Sequence, residues 1–368
     1  MIRRIYFFGS LGNLKKPAAG GGQSSARRTV KVLGDLGYDI MVTNRSVPAY
    51  ATNNFGGKLY KYFGFLYDPT RWFFRLMKGQ RGESVAFVIG YSGPMFPYFF
   101  LYVKIAKLLG YKTVFYLKGG FTEKRFNSFP KWQQHSYRKG LQYVDLALYE
   151  GEEGVKVSEK VLPSIKAVWI PNYVANGFAP SQYIDKPKET INLLYFGRLH
   201  PHKNVIMIVD VFDKICETLP NVTLTIVGTG LESYKKLLSS RIDSSPNKAK
   251  INRIGHSDQN RIKELMTYHH FFIFPSEEAN EGHSNSLNEA MSYGLIPIVS
   301  ANNFLPSIVG NSDLVSKEIN YDAYASIISE IMCNGKYNDI SKEVYDRVKY
   351  NFTQNIVETK LKGLIDGL

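Results

Sequence analysis

The sequence predicts an α/β protein of two domains, each built around a doubly wound parallel sheet. Short apolar runs that end at glycine, proline or polar residues alternate with longer stretches of helical periodicity. This alternation stops in a polar segment near the middle of the chain and then starts again. The length of 368 residues also exceeds what one hydrophobic core usually supports.

Six apolar runs in the first half have the character of strands that are buried on both faces of a parallel sheet. They cover residues 3–8, 39–43, 85–89, 113–117, 146–149 and 167–170. Helices are predicted over residues 24–36, 95–109, 131–143 and 152–161. Strands that alternate with helices in this way form a parallel sheet. We assign residues 1–175 to an N-terminal domain.

Residues 176–190 are polar, contain proline and lysine and show no periodicity, so they are the predicted linker. The second domain is predicted over residues 191–350, and residues 351–368 are expected to form a helix that packs back toward the first domain. The predicted strands of the second domain are residues 191–196, 224–227, 250–254, 271–274 and 296–300. Its predicted helices include residues 205–215, 259–268, 321–332 and 342–350.

Composition limits the cellular setting and the class of partner. Two cysteines, Cys216 and Cys333, offer neither a disulfide framework nor metal-ligand spacing, which suits a reducing cytoplasm. No run approaches the roughly 20 apolar residues of a spanning helix. The net charge of +14 favours an anionic partner, although a merely soluble basic protein would also explain it.

Aromatic and basic residues are interleaved between Phe55 and Lys78. Such a stretch can lie at a bilayer interface, stack on bases or sugars, or bury its rings as an ordinary helix and loop. We therefore expect a cytoplasmic protein with peripheral association at an anionic inner membrane surface.

Two glutamates eight positions apart, Glu281 and Glu289, mark a loop that runs into a helix. The start of a helix favours an anion, because its N–H groups are unpaired there. Glu289 lies away from the apolar stripe and can accept hydrogen bonds from sugar hydroxyls. The alternative is a capping box, Ser286-x-x-Glu289, in which Glu289 only closes its own helix.

Two cations follow the first strand of the second half. Ligands of open parallel sheets bind beyond the carboxyl ends of the strands, where Arg198 and Lys203 are expected. An arginine fork and a lysine point charge suit a diphosphate, whereas either cation alone is more typical of a solvated surface.

Other ligand classes have little support. The glycines at residues 20–22 would allow a phosphate or sugar to approach the backbone closely. The alternative is that they only form a flexible surface loop. Gly228-Thr229-Gly230 lacks a third glycine, so a nicotinamide site is not predicted. The sequence has no Asp-x-Asp pair, and its histidine pairs have weak ligand spacing. No metal and no cofactor are predicted.

Taken together, these motifs resemble glycosyltransferase family 4, the retaining glycosyltransferases of the GT-B fold. That fold has two Rossmann-like domains facing each other across a cleft. The C-terminal half carries the specific match: Gly197-Arg198, Lys203, Gly228-Thr229-Gly230, Pro275-Ser276, Glu281 through Glu289, and Gly294-Leu295-Ile296-Pro297. Pro171-Asn172 and the glycines at residues 20–22 match more loosely.

The resemblance implies roles for these residues. Arg198 and Lys203 would bind the donor diphosphate and stabilise the leaving nucleotide, and Glu281 would act at the transferred sugar, so these three are the implied catalytic residues. Glu289 would bind the ribose. The further implied donor-binding residues are Gly21, Gly22, Gly282, His283, Ser284, Asn285, Ser286 and Leu287. The donor would be a UDP- or GDP-sugar, without a metal ion.

One departure from the family concerns the first domain, where relatives carry a histidine after the strand that matches residues 113–117. In this sequence Lys118-Gly119 stands at that position. These two residues either contact the acceptor or have no assigned role.

The leading hypothesis is a retaining glycosyltransferase that uses a saccharide or lipid-linked acceptor in polysaccharide biosynthesis. A sugar-nucleotide epimerase of the same fold is the alternative. A basic nucleic-acid-binding protein is a third reading, but no known module is visible, so nucleic acid is not a predicted partner.

Overall fold

The computed structural model describes residues 2–16, 21–46, 55–93, 96–219, 221–279 and 281–368, without the side chains of residues 21 and 55–62. The chain divides into two compact units. Unit 1 comprises Met1–Pro171 and Glu358–Leu368, and unit 2 comprises Asn172–Val357.

Unit 1 contains a six-stranded parallel sheet in the order β2-β1-β3-β4-β5-β6. Every strand predicted for this half is present, and its ends differ from the predicted ends by at most two residues, because each strand contains a mostly apolar run. The strands are β1 Arg4–Gly9, β2 Asp39–Asn44, β3 Ser84–Tyr91, β4 Lys112–Lys118, β5 Leu146–Tyr149 and β6 Ala167–Trp169.

Helices cover this sheet, and several of them share one aromatic core. They are α1 Gly21–Asp35, α2 Phe55–Met77, α3 Phe96–Leu108, α4 Glu123–Asn127, α5 Lys131–Leu141 and α6 Glu152–Val161. Buried Trp72 of α2 donates its indole N–H to the carbonyl of Tyr102 in α3 at 3.0 Å. The interleaved aromatic stretch is therefore a helix, and one side of it is part of the core.

Unit 2 has a second six-stranded parallel sheet, in the order β12-β11-β10-β7-β8-β9. The five predicted strands are present, and a two-residue strand, β12, was not predicted because it is too short to show periodicity. The strands are β7 Ile191–Phe196, β8 Val222–Val227, β9 Ile251–Ile254, β10 Phe271–Phe274, β11 Ile296–Ser300 and β12 Val315–Ser316.

The helices of unit 2 include two that the sequence did not reveal, α8 and the five-residue α11. Only Tyr234 and Leu238 of α8 are buried, so its apolar stripe is too sparse to recognise. The helices are α7 Val205–Cys216, α8 Glu232–Asp243, α9 Gln259–Tyr268, α10 Asn285–Met291, α11 Leu305–Val309, α12 Tyr321–Cys333, α13 Tyr337–Asn351 and α14 Gln354–Asp366. The last residues of α14 belong to unit 1, where the hydroxyl of Tyr38 donates to Asp366 at 2.8 Å.

The segment predicted to be a linker, residues 176–190, lies within unit 2. The buried ammonium of Lys186 donates to the carbonyl of Tyr293 at 2.8 Å, and the hydroxyl of Tyr183 donates to Ser341 at 2.9 Å. The segment predicted as a linker is thus packed as part of unit 2. Its polar residues have partners far along the chain, which local composition does not reveal.

The glycines of Gly228-Thr229-Gly230 let two chain segments approach closely beyond β7 and β8. A Cβ at Gly228 would stand 1.9 Å from the carbonyl oxygen of Gly197, and one at Gly230 would stand 1.8 Å from that of Leu199. These distances are far below contact. The motif is thus explained by backbone packing at the carboxyl edge of the sheet.

Two adjacent histidines are buried at the opposite, amino-terminal edge. His270 accepts a hydrogen bond at Nδ1 from the N–H of Asn192 at 3.0 Å, and its Nε2 donates to the carbonyl of Pro187 at 2.8 Å. Burial lowers the pKa of His270 to about 4, and that of His269 likewise. Both imidazoles are therefore neutral structural groups at neutral pH.

We expect Gly228→Ala to lower the free energy of unfolding by about 1–3 kcal/mol or more, because the new methyl group overlaps the Gly197 carbonyl. Gly255→Ala is the matched control, since a Cβ there meets nothing within 4 Å. Its effect should stay within about 0.5 kcal/mol. Urea unfolding measures both, and equal stability of the two variants would contradict the packing argument.

We expect unit 2 to lose stability as the pH falls from about 6.5 toward 4, because the unfolded histidines take up protons in that range and the folded ones do not. His270 contributes a slope of up to about 1.4 kcal/mol per pH unit. His270→Gln should reduce the slope, leaving the part due to His269, while exposed His135→Gln should not. Urea unfolding at several pH values tests this, and an unchanged slope in His270→Gln would refute it.

Candidate functional site

The predicted site residues of unit 2 lie where two neighbouring parallel strands end. β7 ends at Phe196, directly before Gly197-Arg198, and β10 ends at Phe274, directly before Pro275-Ser276. These strands are paired through Phe271 and Leu193. The loop after β10, residues 275–284, then leads into α10. Because parallel strands end at the same edge, the loops that follow them meet there.

Lys203 and Glu281 form a sheltered ion pair at this edge, with side chains only 10% and 11% exposed. Lys203 ends a short 3-10 turn, and its ammonium contacts the carboxylate of Glu281. The hydroxyl of Ser276 donates to the same carboxylate at 2.7 Å and accepts from Lys203 at 3.3 Å. The ring of Phe274 lies 4.9 Å from the ammonium. Each charge therefore has a partner in a site with little water.

Arg198 makes a second ion pair beside the first, and this pair is open to solvent. Its guanidinium donates to Glu278 at 2.8 Å, with side chains 60% and 21% exposed. The buried hydroxyl of Tyr195 donates to the carbonyl of Arg198 at 2.9 Å, which fixes the backbone. Burial raises the pKa of Tyr195, and the charge of Glu281 adds to that effect. An exposed pair contributes little stability, so Arg198 can change partner at low cost.

We call the loop after β10, residues 275–284, the glutamate loop. Several of its backbone carbonyls accept hydrogen bonds from side chains of flanking segments. Asn204 donates its amide to the carbonyl of Pro275 at 3.0 Å, and Ser300 donates to the carbonyl of Ser276 at 2.6 Å. Asn303 donates to the carbonyl of Glu278 at 3.1 Å. These bonds anchor the backbone of the loop at residues 275, 276 and 278.

A three-residue network fixes the second half of the loop. The amide of Asn172 donates to the carbonyl of His283 at 2.7 Å, and the amide of Asn288 donates to the carbonyl of Asn172 at 3.0 Å. The imidazole Nε2 of His283 meets Asn288 Oδ1 at 2.9 Å, and its ring packs on Phe352. His283, predicted as a donor-binding residue, thus places its side chain in the framework of the loop.

The helix after the loop, α10, begins two residues earlier than the capping-box alternative requires. Its N-cap is Ser284, whose hydroxyl accepts from the N–H of Leu287 at 3.5 Å. Ser286 and Glu289 therefore lie inside the helix, and the capping-box interpretation is wrong. Glu289 is partly exposed, Asn285 is exposed, and Gly282 is partly exposed. The Leu287 N–H, predicted to face the donor, is already engaged.

In unit 1, Lys118 and Gly119 are both bound to one carboxylate. Lys118 Nζ lies 3.0 Å from Glu150, with both side chains 6% exposed, and 3.7 Å from the ring centroid of Tyr116. The N–H of Gly119 donates to the second oxygen of Glu150 at 2.8 Å. Burial lowers the pKa of Lys118, while Glu150 opposes that shift. Sequence reasoning missed Glu150, whose one available signal was its place directly after β5.

The N-terminal glycines of the predicted site are residues 20–22. Gly20 lies outside the described residues, as do residues 17–19 before it. Gly21 and Gly22 form the first turn of α1. The hydroxyl of Tyr91 donates to the carbonyl of Gly22 at 2.8 Å, and a Cβ at Gly22 would stand 2.9 Å from that ring. Glycine is therefore needed at this position for packing.

Sequence reasoning missed Ser276 as a partner of the ion pair, Glu278 as the partner of Arg198, and Asn288 as an anchor. Ser276 and Glu278 had one available signal, their place after a strand. Asn288 had another, because an asparagine on the buried side of a helix needs hydrogen-bond partners. Among the residues that the structure describes, no three His, Cys, Asp or Glu side chains are arranged to hold a metal ion.

We expect Asn288→Ala to lower the free energy of unfolding by about 1–3 kcal/mol, since it leaves the partly buried carbonyl of Asn172 without its donor. Exposed Asn334→Ala is the control and should have little effect. Urea unfolding gives the stabilities, and limited proteolysis should show faster cleavage within residues 275–284. If both variants behave like the wild type, the network does not hold the loop.

The chain resembles known proteins in its second half by sequence and throughout by structure. Residues 181–347 match the family "Glycosyl transferases group 1". No curated protein sequence matches the chain. Sucrose-phosphate synthase from Thermosynechococcus elongatus is similar at a TM-score of 0.70 and 13% identity, covering 99% of this chain and 98% of that one.

Two further solved structures have the same extent of similarity. HepE from Anabaena in complex with UDP has a TM-score of 0.68 at 13% identity and covers 100% of both chains. A glycosyltransferase from Rickettsia africae has a TM-score of 0.71 at 14% identity, covering 100% of this chain and 98% of that one. Residues 181–347 thus match the group 1 glycosyl transferases, and the chain has the two-domain α/β GT-B fold that its sequence predicts.

Proposed function

We propose that this protein is a retaining glycosyltransferase that moves a sugar from a UDP- or GDP-sugar to a saccharide or lipid-linked saccharide acceptor in polysaccharide biosynthesis. The observation that carries the proposal is the pair of cations at the carboxyl edge of unit 2, Lys203 and Arg198, each facing a glutamate of one loop. Both lie within the segment that matches the group 1 glycosyl transferases. HepE, which has the same fold, is in complex with UDP.

The two ion pairs would respond differently to a donor. The Arg198 pair is exposed, so a diphosphate can replace Glu278 and accept both arms of the guanidinium fork. Lys203 is held in place by Ser276 and Glu281, so its charge is already positioned before the donor arrives. Fixed charges in a site with little water stabilise developing charge without reorganisation.

In the transfer step the bond between the anomeric carbon and the phosphate oxygen breaks. The acceptor oxygen forms its bond on the same face of the sugar, and the acceptor proton passes to the departing phosphate oxygen. Negative charge grows on the diphosphate, where Lys203 and Arg198 stabilise it. Glu281 accepts hydrogen bonds from sugar hydroxyls, and its charge offsets the positive charge that develops at the anomeric carbon.

The remaining donor contacts are assigned to the start of α10 and to the glycine turn. Glu289 would accept bonds from the ribose hydroxyls, and the backbone of residues 282–286 would contact sugar and phosphate. Gly21 and Gly22 would offer close backbone approach. The acceptor is assigned to unit 1, with Lys118 as a contributor. Because cations serve the diphosphate, the proposed reaction requires no metal ion.

We expect Arg198→Ala to weaken binding of the nucleoside diphosphate by on the order of tenfold, since one charge-assisted hydrogen bond is lost. Glu278→Gln should bind as tightly as the wild type or more tightly, because it removes the competing partner of Arg198. Lys214→Ala, which breaks the surface pair with Glu217, is the control. Calorimetric titration with UDP and GDP in excess EDTA measures the dissociation constants.

The paired design separates a donor role from a structural one. If Arg198→Ala and Glu278→Gln both lower the melting temperature and leave nucleotide affinity unchanged, the pair is structural and the site assignment fails. Affinity that returns only when magnesium or manganese replaces EDTA would contradict the metal-independent mechanism.

A further inference from the structure

We propose that the outer surface of α2, α3 and α5 in unit 1 docks on an anionic lipid bilayer. We call this surface the basic helical layer. The proposal goes beyond the transferase function, because it concerns residues with no role in the donor site and it would stand whatever reaction the protein catalyses.

The first observation is the distribution of charge between the two units. Unit 1 contains 28 Lys and Arg against 12 Asp and Glu, a net charge of +16. Unit 2 contains 18 against 20, a net charge of −2. The basic excess of the whole chain therefore lies entirely in unit 1. A general preference for basic residues would have charged both units.

The second observation is that acid is nearly absent from the three helices of the layer. Their 47 residues include nine Lys and Arg and a single acid, Asp68, which is fully buried. By contrast, α6 of the same unit has three glutamates among ten residues. The basic residues of the layer are Lys58, Lys61, Arg71, Arg75, Lys104, Lys107, Lys131, Arg138 and Lys139.

The three helices lie side by side over the same face of the sheet and share one core. The rings of Phe65 in α2 and Tyr98 in α3 are 4.9 Å apart, and those of Phe100 in α3 and Tyr137 in α5 are 5.6 Å apart. Because their inner sides meet in this core, their outer sides point away from the sheet. The three helices therefore present one broad surface.

Large apolar side chains are exposed on that surface. In α2, Phe63, Leu66, Phe74 and Met77 are each at least half exposed, and their spacing of three, eight and three residues places them within one arc of the helix. Leu108 of α3 and Trp132 of α5 are also exposed. An apolar face of this extent is costly in water unless something covers it.

Exposed cations accompany these apolar groups. Lys78, Lys104, Arg138 and Lys139 are exposed, on or directly after the helices of the layer. Two bases of α2 point inward instead. Arg71 donates to the carbonyl of Asn44 at 3.2 Å, and Arg75 donates to the carbonyl of Val42. The interleaved bases of this stretch are therefore not all available to a partner, and the side chains of Lys58 and Lys61 lie outside the described residues.

An anionic bilayer matches this combination better than other partners do. Apolar side chains can enter the boundary between headgroups and acyl chains while the bases contact anionic headgroups. Nucleic acid would bind the lysine and arginine side chains through its phosphates. It would make no favourable contact with exposed leucine and methionine, which lie outside its stacked rings. None of the helices in the described part of the chain has the length and apolar character to span a membrane.

The test is flotation of the full-length protein with vesicles of phosphatidylcholine alone or mixed with phosphatidylglycerol, at low and high salt. Wild type should bind only the mixed vesicles, and less at high salt. The triple variant Lys104→Glu, Arg138→Glu, Lys139→Glu should lower the partition coefficient roughly 100-fold or more. The double variant Leu66→Ser, Phe74→Ser should also reduce binding, with little change in its salt dependence.

The matched control reverses three exposed lysines of unit 2, Lys236, Lys248 and Lys317, and so changes net charge by the same amount. It should bind vesicles as the wild type does. Thermal unfolding of every variant shows whether it is folded. The proposal is wrong if wild type ignores anionic vesicles at low salt, or if the control loses as much binding as the layer variant.

Two other results would also overturn the proposal. One is that Leu66→Ser, Phe74→Ser dissolves a wild-type dimer in light scattering without altering vesicle binding, which would make the face an interface between copies. The other is that wild type binds DNA or RNA but not vesicles.

Discussion

The glutamate loop of unit 2 depends on one sheltered contact, the ion pair between Lys203 and Glu281. Two charges with so little exposure are stable only when each is paired and hydrogen-bonded. Ser276 meets this requirement by bonding to both. The contact joins the segment after β7 to the loop after β10, and so sets where Arg198 and Glu278 meet in the outer, exposed pair. The sheltered pair holds Lys203 in position, and the exposed pair lets Arg198 exchange Glu278 for another anion. Together the two pairs are suited to binding an anion.

Unit 1 uses the same physical solution at the corresponding edge of its own sheet. Lys118 ends β4, Glu150 follows the neighbouring strand β5, and the two form a buried pair. In both units the charges come from neighbouring parallel strands, where loops converge beyond the last ladder bond. In unit 1 the carboxylate also accepts the N–H of Gly119, so it fixes the backbone as well as the cation.

Charged residues are distributed differently on the surface and in the interior of this protein. The two sheltered ion pairs of the interior, Lys118 with Glu150 and Lys203 with Glu281, lie close to strand ends. The surface charges are many and unevenly distributed, with the whole basic excess on unit 1. Within α2, Arg75 is turned inward onto a backbone carbonyl, while Phe74 beside it is exposed. The inner side of α2 buries Trp72 and Leu76 in the core, and packing in that core does not account for the large apolar side chains that the outer side exposes.

The sequence alone determined the strands, because a parallel strand is a contiguous apolar run, and it placed Arg198, Lys203 and the glutamate loop at strand ends. It could not determine which glutamate meets which cation, since those partners are 78 and 80 positions apart. Nor could it choose Ser284 over Ser286 as the cap, because both are local candidates and the bonds of Asn172 to His283 and Asn288 fix the loop. Local periodicity determines elements, whereas pairing between distant residues is decided only when the tertiary structure brings buried polar groups together.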